Sequence, residues 1–192
     1  MCIRDRDSDG LLGGLVEKGA TLDLHKAVTY LWMQRGSLEP DQGEKVLAFW
    51  RRLVGEYGDK KDDLTEEERA LVIDLAKLAA HLDSLGREAV GWLEVSTEQF
   101  RTEQDAWFLI EDLHRLVDPS PREVGIVYLE ILQNDIYPTF GKDHIIPIVE
   151  TLYGREETQV ADRICNLYLA RGIEFLRDTY ERHHPELDDG TS

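Results

Sequence analysis

The residues whose spacing could do chemistry are two Glu-x-x-His steps, Glu111 with His114 and Glu181 with His184. Residues three apart share a helix face. Di-iron carboxylate proteins use two such steps on facing helices, with two further carboxylates, to grip a metal pair. A solvated surface competes with that reading. His114 has Asp118 one turn on, and the second step runs into Pro185 at the end of a helix. The expectation is therefore no metal and no other cofactor, with these four residues the candidates if a metal binds.

Other chemistry is harder to find. "GLLGGLVEKGAT" has the glycines of a phosphate loop, but Lys18 precedes Gly19 and no strand leads in. Cys165 sits among Ala161, Ile164 and Tyr168 at helical spacing, which suits a buried reduced thiol rather than a nucleophile. Carboxylate pairs abound, as they must in an acidic chain, and acid–base work needs a pocket to push their pKa values apart. No catalytic residue is expected. Trp32, Trp50, Trp92 and Trp107 lie beside aliphatic neighbours and read as core. Trp50, followed by Arg51 and Arg52, is expected to be partly exposed, and that trio is the candidate protein-contact site.

Charge narrows the partners. The chain of 192 residues carries 22 basic and 39 acidic residues, a net charge of −17. A duplex or an anionic membrane repels such a chain unless its basic residues gather on one face. Lys60 and Lys61 are offset by Glu56, Asp59, Asp62 and Asp63, so nucleic acid is not an expected partner. No apolar run approaches the roughly 20 residues of a membrane span, and a cytoplasmic protein is expected.

The elements that must position these residues are helices. Few glycines and prolines, and many Leu, Ala, Glu and Arg, favour an all-α fold. Thr65 with Glu68 reads as a capping box, and so does Ser120 with Glu123, with Pro121 at the first helical position. Val124, Val127, Tyr128 and Ile131 form a stripe that Ile126, Leu129 and Leu132 widen, as in a helix buried between neighbours. Ala106, Leu109, Ile110, Leu113, Leu116 and Val117 share one face of the preceding helix. Ile145, Ile148, Val149 and Leu152 form another stripe, with Gly154 as its C-cap. Pro147 requires that helix to begin close to Asp143, and Gly172 closes the next one. The stretch 95–103 gives no readable pattern.

Helix pairs begin near Leu22, Thr65, Gln104 and Asp143, a recurrence of about 40 residues that matches HEAT-type units better than tetratricopeptide ones. The expected architecture is a HEAT- or TPR-like α-α solenoid of about four pairs in 21–184, with a C-terminal capping helix and an acidic disordered tail at 185–192. Residues 7–20 hold a short apolar helix, Leu11 to Val16, expected to be half of a truncated preceding repeat. Residues 1–6, "MCIRDR", resemble translated adapter on environmental gene predictions and are expected to be non-native.

The stretches "HKAVTYLWMQRGSL", "DAWFLIEDLHRLVDPSPREVGIVYLEIL", "HIIPIVETLYG" and "ADRICNLYLARGIEFLRDTYERH" resemble the C-terminal helical-repeat regions of large prokaryotic multidomain proteins. In those proteins a nucleotide-dependent or sirtuin-like effector domain lies upstream, often in antiviral defence. The resemblance implies a non-catalytic recognition or regulatory arm, binding a protein or the parent chain's own upstream domain. The acidic charge points to a basic partner. The alternatives are a stand-alone helical adapter and a helical di-iron-like enzyme using Glu111, His114, Glu181 and His184.

Overall fold

The computed structural model describes residues 21–33, 36, 40–58, 63–82 and 87–185. The expected leader at 1–6, the partial helix at Leu11–Val16 and most of the acidic tail lie outside the described residues. Among the described residues there are nine α-helices and no strand, so the chain is all-α. In order they are α1 (Thr21–Met33), α2 (Pro40–Gly58), α3 (Glu66–His81), α4 (Arg87–Thr97), α5 (Glu103–Leu116), α6 (Pro121–Gln133), α7 (Lys142–Gly154), α8 (Thr158–Ala170) and α9 (Arg177–His183). The chain divides into two compact units, 1–99 and 100–192.

In the first unit α3 packs against α1, α2 and α4. Its sequence explains that central place. From Leu71 to Ala80 every residue but Asp74 is buried, so the helix is apolar around most of its circumference. Thr65 closes its start with the expected capping box. The Thr65 hydroxyl accepts from the Glu68 N–H at 3.3 Å, and the Glu68 carboxylate accepts from the Thr65 N–H at 2.9 Å. Lys77 is buried yet keeps its ammonium 3.7 Å from Asp74, which also faces the His25 ring at 2.9 Å. A buried cation without such a partner would be costly.

In the second unit each helix from α5 to α7 packs on the next and on the next but one, and α8 packs on α9. The predicted stripe of α5 is wholly buried, as are Ile145, Ile148, Val149 and Leu152 of α7 and Ala161, Ile164, Cys165 and Tyr168 of α8. α6 is buried at Val124, Gly125, Val127, Tyr128, Leu129, Ile131 and Leu132, as a helix enclosed by neighbours requires. Gly125 matters here. A Cβ on it would stand 2.5 Å from Val160 Cγ1 and 3.2 Å from Leu152 Cδ2, so only glycine lets α6 approach α7 and α8 this closely.

Three local readings change. Ser120 is the N-cap of α6 with Pro121 behind it, but its hydroxyl caps nothing, because its ψ of 58° is far from the extended value near 160° at Thr65. Gly154 is the last helical residue of α7 and not its C-cap; Arg155 is the C-cap and Glu156, at φ 66°, takes the left-handed position. There Glu157 N–H bonds to Leu152 C=O and Glu156 N–H to Tyr153 C=O, a Schellman closure. The same closure follows α8, with Gly172 at φ 71° as the sequence indicates. Pro147 lies in the second turn of a helix that starts at Lys142, and removes the N–H that would bond the Asp143 carbonyl.

Candidate functional site

α5 starts at a capping box whose letters, Thr102-x-x-Asp105, stand before an apolar run. Thr102 accepts from the Asp105 N–H at 3.3 Å, and Asp105 accepts from the Thr102 N–H at 3.0 Å. This fixes the rotation of the helix and settles the stretch 95–103: α4 ends at Thr97, Phe100 is buried, and Thr102 opens α5. With Ala106, Leu109, Ile110 and Leu113 turned inward, the column Glu103, Trp107, Glu111 is turned outward at four-residue spacing. Trp107 is 53% exposed and Phe108 41%.

A loop before α7 meets this column. The Tyr168 hydroxyl donates to the Pro138 carbonyl at 3.0 Å, and the Tyr128 and Tyr168 hydroxyls lie 2.6 Å apart. Because the carbonyl can only accept, Tyr168 gives its proton there and Tyr128 donates to Tyr168. Burial raises the pKa of both phenols, so both stay protonated donors. Two residues beyond the tethered carbonyl, Phe140 projects outward, 73% exposed. Its ring centroid is 5.6 Å from that of Trp107. Both rings line an apolar recess of about 150 Å³, together with Glu103, Gln104, Ile110, Pro138 and Gly141.

The four metal candidates are not brought together as a ligand set. No group of three or more His, Cys, Asp or Glu is placed to hold a metal among the described residues. Glu111 is exposed on α5. His114 instead faces α7, its Nδ1 3.1 Å from Nδ1 of His144. One of the two must carry the proton and the other the lone pair. Burial, then the neighbouring His144, holds the His114 pKa below its ordinary value. Glu181 lies 3.6 Å from Arg177 on its own helix. His184 is engaged by Asp162 of α8 at 3.3 Å and stacks on Tyr180.

The rest of that terminus is a latch for α9. Glu150 of α7 accepts from Thr179 at 3.1 Å and Arg182 at 2.5 Å, and stands 3.4 Å from His183, whose ring stacks on Tyr153. Burial pushes the Glu150 pKa up, but the hydrogen bonds from His183, Thr179 and Arg182 prevail and hold it below the usual value. Cys165 is fully buried, and burial raises its thiol pKa to about 11, which leaves it protonated at neutral pH. It lies 3.9 Å from the Tyr153 hydroxyl, which donates to Asp162 at 2.7 Å.

The contact trio in the first unit is corrected at its centre. Trp50 is completely buried, its indole N–H donating to Ser96 Oγ at 3.1 Å and its ring edge-on to Trp92. It belongs to the stripe Val46, Phe49, Trp50, Leu53 that seats α2, and this outweighs its charged neighbours. Arg51 and Arg52 are exposed, but Arg51 lies over the Trp92 ring at 4.2 Å and Arg52 is 3.3 Å from Glu56. The exposed tryptophan is Trp107, which its position opposite the α5 stripe could have revealed. Phe140 lies in a loop without periodicity, and nothing local marks it.

No helix among the described residues is long and apolar enough to cross a membrane. Comparison with protein-family models, with curated proteins and with solved structures finds no match to this chain.

Proposed function

We propose that the chain is a helical-repeat module that binds another protein segment without catalysis, and that the second unit carries the binding face. The observation that carries this is the recess lined by Trp107 and Phe140, two large aromatic side chains more than half exposed to solvent. Aromatic side chains are costly to leave in water, and tryptophan is enriched where partners bind most tightly. A recess of this volume is too small for a typical small-molecule site of roughly 300–1,000 Å³ and suits one anchoring side chain.

A solenoid-like arrangement is favoured by a repeated link. Asp118, after α5, pairs with Arg155, after α7; Asp135, after α6, pairs with Arg171, after α8. The two links span 37 and 36 residues, close to the period of the helix pairs. Repeating units that stack on their neighbours present extended surfaces suited to peptide and protein ligands. A place as the C-terminal arm of a larger prokaryotic protein belongs to the same reading and rests on sequence resemblance; a cytoplasmic setting rests on the lack of a span-length apolar run in the sequence.

A random-peptide display library panned against the full chain tests the reading, with Trp107→Ser/Phe140→Ser protein as the counter-selection target. Peptides that bind the wild type and not the double variant are expected. A library that yields none, or yields only peptides that bind both proteins, contradicts it.

A further inference from the structure

We propose that the recess beside Trp107 takes an arginine side chain from a basic segment of a protein partner, the guanidinium lying over the indole between the carboxylates of Glu103 and Glu111. The inference rests on the binding face proposed above and adds the chemistry of what enters it. Glu103 lines the recess, and Glu111 stands one turn beyond Trp107 on the same outward column of α5. An aromatic face flanked on both sides by carboxylates attracts a cation through the ring quadrupole and through charge together.

Trp107 has room for such a cation. It is 53% exposed, with the Phe140 ring beside it at a tilt of 32°, so part of the indole is accessible to a cation from solvent. The first unit already contains the same contact satisfied internally, with Arg51 over Trp92. Next to the recess in sequence, Lys142 beside Gly141 is followed at once by Asp143, so these two side chains cancel in net charge. The chain's net charge of −17 steers basic segments toward it. Arginine fits better than lysine because its planar, weakly hydrated guanidinium stacks on aromatic rings and can meet carboxylates in a fork. A recess of about 150 Å³, the size that admits a benzene-sized group, accepts the aliphatic stem or a neighbouring apolar side chain of the same segment.

The probe is the capped peptide GLRGLRG, titrated to millimolar concentration into the full chain while the Trp107 indole N–H resonance is followed by NMR. Its isostere, with citrulline at both arginines, has the same shape and no charge. The arginine peptide is expected to shift the indole resonance and to bind about tenfold more tightly than the citrulline peptide. Glu103→Gln/Glu111→Gln should remove most of that preference while leaving the helical spectrum unchanged.

Equal binding of both peptides, lost in Trp107→Ser/Phe140→Ser, would overturn the arginine assignment and leave an apolar docking face. No binding of either peptide, while panning still yields ligands for this face, would also overturn it. If panning yields none as well, the docking face itself fails. A dimer in the peptide-free protein that Trp107→Ser abolishes would name a second copy as the occupant and contradict the proposal.

Discussion

At the scale of single residues, the second unit depends on polar groups that are buried but directed. Tyr168 is the hub: it receives from Tyr128 and gives to the Pro138 carbonyl. Tyr168→Phe therefore orphans a buried donor and a backbone acceptor together, whereas Tyr128→Phe removes one hydroxyl and leaves the tether to Pro138 in place. Tyr168→Phe should cost about 2 kcal/mol and Tyr128→Phe about 1 kcal/mol or less by urea unfolding. Equal costs would mean that the proton order is reversed. His114 gives a second prediction. Its folded pKa lies below its ordinary value because of burial and His144, so the unfolded chain takes up the proton first. The stability it contributes is full above about pH 6.5 and is lost as pH falls through the lower folded value. Between pH 7.5 and 5 the wild type should lose more stability than His114→Gln, followed by the urea midpoint; parallel profiles would contradict this.

At the scale of helices, what could be read in the letters was what depends on near neighbours along the chain. The Thr65–Glu68 box, the stripes of α5, α7 and α8, and Gly172 after α8 all follow from spacing alone. Ser120 shows the limit. Its letters match a capping box, but at a ψ of 58° its hydroxyl makes no cap bond. Trp50 shows another, since its neighbours Arg51 and Arg52 suggested exposure while the stripe Val46, Phe49, Trp50, Leu53 dictated burial. Of the candidate site, the column on α5 was legible in principle. The loop that brings Phe140 to it was not, because Tyr168 places that loop from 30 residues away. Two glycines in helix interiors test the packing. Gly91 has nothing within 4 Å of a Cβ, so Gly91→Ala should stabilise by about 0.5–1 kcal/mol through helix propensity. At Gly125 the same gain meets Val160 Cγ1 at 2.5 Å, a branched side chain with little freedom to turn. Gly125→Ala should be destabilising by about 1 kcal/mol, the overpacking cost exceeding the propensity gain. Melting temperatures that move in the same direction for both would contradict the close approach of α6 to its neighbours.

At the scale of the whole molecule, charge and shape point the same way. With 39 acidic against 22 basic residues the chain's field attracts basic segments, and the exposed aromatic recess of the second unit is the docking site proposed above. In the first unit Trp50 is paired with Ser96 and Arg51 with Trp92, while Tyr30 of α1 is 52% exposed. Under the proposal above, binding falls on the second unit. The most direct measurement is amide chemical-shift mapping of the full chain with a peptide obtained by panning. The largest shifts should fall in residues 103–111 and 138–142. Shifts centred instead on Arg51 and Arg52, with the Trp107 indole unmoved, would place binding on the first unit and contradict the account.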